Sequence, residues 1–196
     1  MKCFLFKKHA KISNLAKLLI SIIGVQIVAF LGSLFTMSSV STWYATLPKP
    51  SFNPPSWVFG PVWTILFLMM AVAAYLIWKK GWKHREVRVA LYVFIGQLAL
   101  NLLWSVLFFG LHSPLAALYE IIILWLAILL TILVFYKISK PAAYLLIPYI
   151  LWVTFAAVLN FAIWNISFRI ENDAMFYIPA NSSIQVLAPP SVVNVR

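Results

Sequence analysis

The chain is 196 residues long, 64% hydrophobic and only 10% charged, with a mean hydropathy of +0.96. No water-soluble globule of this size could hide so much apolar surface, so the composition places the chain in a bilayer. Its net charge of +11 sits at the edges of apolar runs rather than on a stripe interleaved with polar positions, which is the signature of membrane topology, and no nucleic-acid partner is expected.

Residues 1–14 form a basic segment with Lys2, Lys7, Lys8 and Lys11, and Lys17 follows just inside the first apolar run, Leu15–Met37. That run is too long for the h-region of a signal peptide, usually about 7–15 residues, and reads as a membrane span. The lone cysteine, Cys3, has no intrachain partner, and no cysteine–histidine metal spacing exists. The next stretch, WYATLPKPSFNPPSWVFGPVWT at residues 43–64, holds three tryptophans, five prolines and one charge, Lys49. Pro48, Pro50, Pro54 and Pro55 restrict themselves and the residues before them to extended backbone, so the loop should be stiff and fold back over the bundle. Read from composition alone, its rings are an interfacial aromatic belt.

Four further runs follow, Trp57–Trp78, Val87–Phe109, Pro114–Tyr136 and Ala142–Ile166, each long enough to cross a hydrocarbon core about 30 Å thick. They are continuous rather than alternating, which favours helices over barrel strands. The fold class is therefore an all-α membrane protein, a bundle of five transmembrane helices over residues 15–166. The second run carries a stripe of Trp63, Phe67, Met70 and Ala74. In the third, Gln97, Asn101, Trp104, Ser105 and Phe108 share one helix face, and amides at that depth belong inside the bundle, as interhelical glue or as cavity lining. Glu120 lies about two turns inside the fourth run and reads as a snorkelling or hydrogen-bonded carboxylate. In the fifth, Pro148 should kink the helix, Trp152, Ala156, Leu159 and Ile163 form a stripe, and Asn160 flanks it. His9, His84 and His112 read as solvated loop residues. Residues 167–196 are polar, contain Pro179 and the Pro189–Pro190 pair, and read as a mobile tail. With the N-terminus cytoplasmic and the C-terminus outside, twelve of the fifteen Lys and Arg residues fall inside, leaving Lys49, Arg169 and Arg196 outside.

The motif W-Y-x-x-L-x-K-P-S-x-x-P-P-x-W-x-F-G-P-V-W-T, starting at Trp43, resembles the signature of the translocator proteins, also called tryptophan-rich sensory proteins or peripheral-type benzodiazepine receptors. QLALNLLWSVLFF from Gln97 is similar to that family's third helix, and PYILWVTFAAVLNFAIW from Pro148 to its fifth, so the resemblance spans roughly residues 18–166. It implies a cavity beneath the first loop that receives porphyrins, haem-like tetrapyrroles, sterols and synthetic aromatic ligands. Carried over by position, the ligand-contacting places are Tyr44, Pro54, Trp63, Phe67, Asn101, Trp104, Trp152 and Ala156. The resemblance also implies membrane lipid as surroundings and a homodimer, for which Gly24, Gly32, Ala71 and Ala74 offer small surfaces. Animal members carry a tyrosine and an arginine in their sterol pattern where this chain has Phe161 and Asn165, and this departure points to a bacterial-type member in a bacterial cell membrane.

Three functions are compatible with these residues. The first is a receptor or carrier for tetrapyrroles, with porphyrin or haem as ligand and no obligatory cofactor or metal. The second is an enzyme of light-dependent or oxidative porphyrin degradation, in which Trp63 and Trp152 would be the redox-active side chains; no nucleophile–base pair or nucleotide loop supports any other catalysis. The third is a tetrapyrrole or sterol transporter, disfavoured by the lack of internal repeats and the near absence of buried charge.

Overall fold

The computed structural model describes residues 12–176. Helix α1 spans Asn14–Val40 and is capped by Ser13, whose hydroxyl accepts from the Ala16 amide at 3.1 Å. The loop after it contains a single turn, α2 (Trp43–Thr46), and a 3-10 turn at Ser56–Val58 leads into α3 (Phe59–Lys79). Helix α4 (Arg85–Ser105) ends in a π-helical turn, Val106–Gly110; α5 covers Pro114–Ile138, with its proline in the first turn, where no intrahelical N–H is needed. The fifth span is made of α6 (Lys140–Tyr144) and α7 (Ile147–Phe176).

Among the described residues five helical stretches are long and apolar enough to cross a membrane: Asn14–Val40, Ser56–Lys79, Arg85–Gly110, Pro114–Ile138 and Lys140–Ile170. They coincide with the five runs read from hydropathy, each extended by a few residues. The last helix runs on to Phe176, so residues 167–176, read from sequence as part of a mobile polar tail, are helical; the remainder of that tail and His9 lie outside the described residues. Pro148 acts one turn earlier than its own position. Its ring excludes the carbonyl of Tyr144, and there the helix stops, resuming at Ile147 after a turn closed by Leu145 N–H to Pro141 O at 3.2 Å.

Packing divides the bundle into two halves. Toward the basic end, where the α3–α4 and α5–α6 turns lie, Met70, Ala71, Ala73, Ile77, Ala90, Ile128, Phe135, Ala142 and Tyr149 are fully buried. The alanines allow helix axes to approach, and in lipid such van der Waals packing replaces the hydrophobic effect as the force between helices. Phe94 and Phe135 stack there at 5.8 Å. Ala71 and Ala74, read from sequence as small surfaces for partner contact, are spent in this core. Gly24 meets nothing within 4 Å, whereas Gly32 lies against Ser105 and Leu102 of α4. Toward the loop end a smaller cluster of Tyr44, Phe108, Ala117, Leu159 and Ile163 closes the bundle, and residues of both clusters line a cavity.

Candidate functional site

The proline-rich loop folds back over the bundle, as its restricted backbone requires. Tyr44 is 4% exposed; its hydroxyl donates to Asn53 Oδ1 at 2.8 Å, and Asn53 Nδ2 donates to the Pro54 carbonyl at 3.0 Å. Burial holds the Tyr44 phenol above its usual range, with the hydrogen bond to Asn53 opposing in part, so the roof carries a neutral hydroxyl. Lys49 Nζ donates to the carbonyls of Ala45 and Leu47 at 3.2 and 3.0 Å and lies 4.7 Å from the centre of the Tyr44 ring. Phe52 packs edge-on to Phe155 of α7 at 6.4 Å. Trp57 is 75% exposed, the placement of a headgroup anchor, whereas Trp43 packs against Phe108 at 5.5 Å and stacks on His112 at 4.4 Å. His112 is exposed, as read from sequence, and also joins the roof's edge, its Nε2 3.2 Å from Ser39 Oγ.

Beneath this roof lies a cavity of about 690 Å³, within the range of drug-sized ligand sites, roughly 300–1,000 Å³. Tyr44, Trp63, Phe67, Asn101, Trp104, Trp152 and Ala156 line it. Pro54, the remaining residue of the sequence-derived set, is not in the wall: it sits half-buried in the loop, its carbonyl tied to Asn53. Its ring stiffens the roof, and Ser56, two residues on, reaches the cavity instead. Gln97 is also absent from the lining; it is 1% exposed and its Nε2 contacts Met70 Sδ at 3.9 Å.

Two features of the wall escaped the spacing argument. The π turn at residues 106–110, held by Leu111 N–H to Val106 O at 2.8 Å, widens the helix so that consecutive Phe108 and Phe109 both face the site, their rings 4.9 Å apart. Helix α1 supplies a further wall through Gln26, Ala29, Phe30, Ser33, Met37 and Val40. Those positions fall at helical spacing, and a lone glutamine in an apolar span was the available signal.

Hydrogen bonds fix the polar groups. Asn101 Nδ2 donates to Tyr149 Oη at 3.0 Å, Trp104 Nε1 to Asn160 Oδ1 at 3.3 Å, and Asn160 Nδ2 to the Pro114 carbonyl at 2.8 Å. The amides therefore serve both as interhelical glue and as wall. Trp104 stacks on Phe108 at 5.2 Å, and Trp152 and Phe59 meet edge-on at 6.0 Å, so flat ring faces dominate the interior. None of the lining residues is Asp, Glu, Lys, Arg, His or Cys, and among the described residues no cluster of three metal-ligating side chains exists. Glu120 is 5% exposed, and among the described residues neither carboxyl oxygen has a hydrogen-bond partner, so it neither snorkels nor bonds to a neighbouring helix there.

Comparison with known proteins adds the following. Residues 21–165 match the model of the TspO/MBR family. Over 140 residues, 71% of this chain and 89% of the relative, it is 53% identical to the tryptophan-rich protein TspO of Chlorobaculum tepidum. It is 49% identical to that of Archaeoglobus fulgidus over 152 residues, 77% of this chain and 97% of the relative. With the human translocator protein it shares 41% identity over 138 residues, 69% of this chain and 81% of the relative.

Proposed function

The chain belongs to the TspO/MBR family of multi-pass membrane proteins, and from that premise we propose that it is a receptor or carrier for porphyrins and related flat hydrophobic molecules. The cavity under the first loop is the binding site, and tetrapyrrole handling and stress response the context. The observation that carries this reading is the convergence of Trp63, Phe67, Trp104, Trp152 and Phe108 on one uncharged space of about 690 Å³. Indole and phenyl faces suit a planar macrocycle, for which stacked and edge-on aromatic contacts contribute about 0.5–1.5 kcal/mol per pair beyond area burial.

The lining suits the macrocycle better than it suits a bound iron. Haem iron takes axial His, Cys, Met or Tyr; here the wall offers only Met37, which is 74% exposed, and Tyr44, whose hydroxyl is committed to Asn53. Metal-free porphyrin is therefore the favoured ligand. Following the distribution of basic residues, the N-terminus is cytoplasmic, the loop faces the outside of a bacterial cell membrane, and Gly24 on the exposed face of α1 is available to a second copy.

Ala156 is half-buried on the wall, next to Phe155 and one turn from Trp152. Ala156→Phe fills the cavity from a position outside the tight core, so it should leave the helical circular dichroism unchanged and weaken protoporphyrin binding at least tenfold, read as quenching of tryptophan fluorescence. Unchanged quenching would show that porphyrin binds elsewhere or not at all.

A further inference from the structure

We infer that Lys49 is the residue that selects ligands bearing a carboxylate and holds their acidic edge at the roof; the inference rests on the porphyrin reading of the cavity. The cavity wall contains no charged side chain. An ionised carboxylate pushed into it would lose its hydration with no cation to replace it, a penalty of several kcal/mol even after relaxation. Acidic tetrapyrroles must therefore bind with the macrocycle inside and the carboxylate arms directed out.

At the roof, Lys49 stands ready for such an arm. It is half-buried and its ammonium is already oriented: two of its three N–H groups are satisfied by the Ala45 and Leu47 carbonyls at 3.2 and 3.0 Å. It lies 4.7 Å from the centre of the Tyr44 ring, and Tyr44 is itself part of the cavity wall. Tyr44 thus links the ammonium to the cavity wall, and among the described residues one of its donors is uncommitted. Ser41 and Ser56, both exposed and both in the lining, offer hydroxyl donors to a carboxylate's second oxygen. Arg169, the other permanent cation described at this end, is exposed on the last turns of α7. Because Lys49 is held by the loop backbone, its side chain loses little further freedom when it pairs with a ligand, which is the condition under which an ion pair at the rim of a site adds affinity rather than breaking even.

The test compares protoporphyrin with its dimethyl ester, which keeps the macrocycle and removes both charges, on full-length protein in lipid nanodiscs with tryptophan quenching as readout. Wild type should bind the diacid about tenfold tighter than the diester, the size expected for one charge-assisted hydrogen bond. Lys49→Gln should bring the two affinities together by weakening the diacid more than the diester, and Lys49→Arg should restore most of the preference. Equal binding of diacid and diester by wild type overturns the assignment of Lys49 alone. So does a Lys49→Gln protein that loses both ligands in equal proportion, because that is the mark of a lysine that merely braces the loop. Quenching by neither compound overturns the porphyrin reading, and this inference with it.

Discussion

Among the described residues, one carboxyl group is buried in the bundle interior without a hydrogen-bond partner. Glu120 has both oxygens unbonded at 5% exposure, and a buried polar group left unsatisfied costs about 1–3 kcal/mol. Glu120→Leu, close in volume and wholly apolar, should therefore raise stability by about 1–3 kcal/mol, seen as a higher thermal midpoint in detergent. A lowered midpoint would mean that the carboxyl holds a contact of its own. Single residues were unevenly legible in the sequence. Asn101 and Trp104 could be placed on an inward face because amides and indoles at helical spacing have few other options in lipid. Glu120 could not, since depth from a segment end says nothing about the direction in which a side chain points. Nor could the role of Pro54, because a proline's effect on its neighbours is local, and whether its ring reaches a cavity depends on how the whole loop lies.

The turn joining α3 to α4 shows how much one backbone conformation carries. Gly81 adopts φ +117°, and a Cβ there would come within 3.3 Å of the His84 ring. Gly81→Ala should cost about 1–2 kcal/mol, the usual penalty for an L-residue forced to left-handed backbone, and lower the thermal midpoint without altering ligand affinity, as the turn lies at the end opposite the cavity. An unchanged midpoint would mean that the hairpin closes equally well by another turn. The spans themselves were readable from hydropathy, since a continuous apolar run in lipid has only the helix available to it. The π turn was not, because periodicity assumes a constant pitch and one extra residue per turn leaves no trace in composition. It is this turn that brings Phe109 beside Phe108, so the feature hardest to read is one that shapes the site.

For the molecule as a whole, the cationic residues at the α3–α4 and α5–α6 turns and the aromatic loop at the other end define opposite faces of the membrane. In a Cys3→Ser background, Ser51→Cys should react with an impermeant maleimide on intact cells, and Lys83→Cys only after permeabilisation; the reverse pattern would invert the proposed topology. Five spans and a roofed bundle were visible in the sequence, but the wall made by α1 was not, because it depends on where α1 leans. Gly32 against Ser105, Phe35 against Gly110 and Ser39 Oγ donating to the Phe109 carbonyl at 2.7 Å tie the loop-end half of α1 to α4 and its π turn. On the side toward α3, the lining residues Phe30 and Met37 of α1 and Gly60 and Thr64 of α3 are all exposed. Exposed lining residues therefore leave the chamber open at the side of the bundle. A molecule entering that way arrives already dissolved in fat, so occupancy follows its mole fraction among the lipids rather than its titre in the surrounding water.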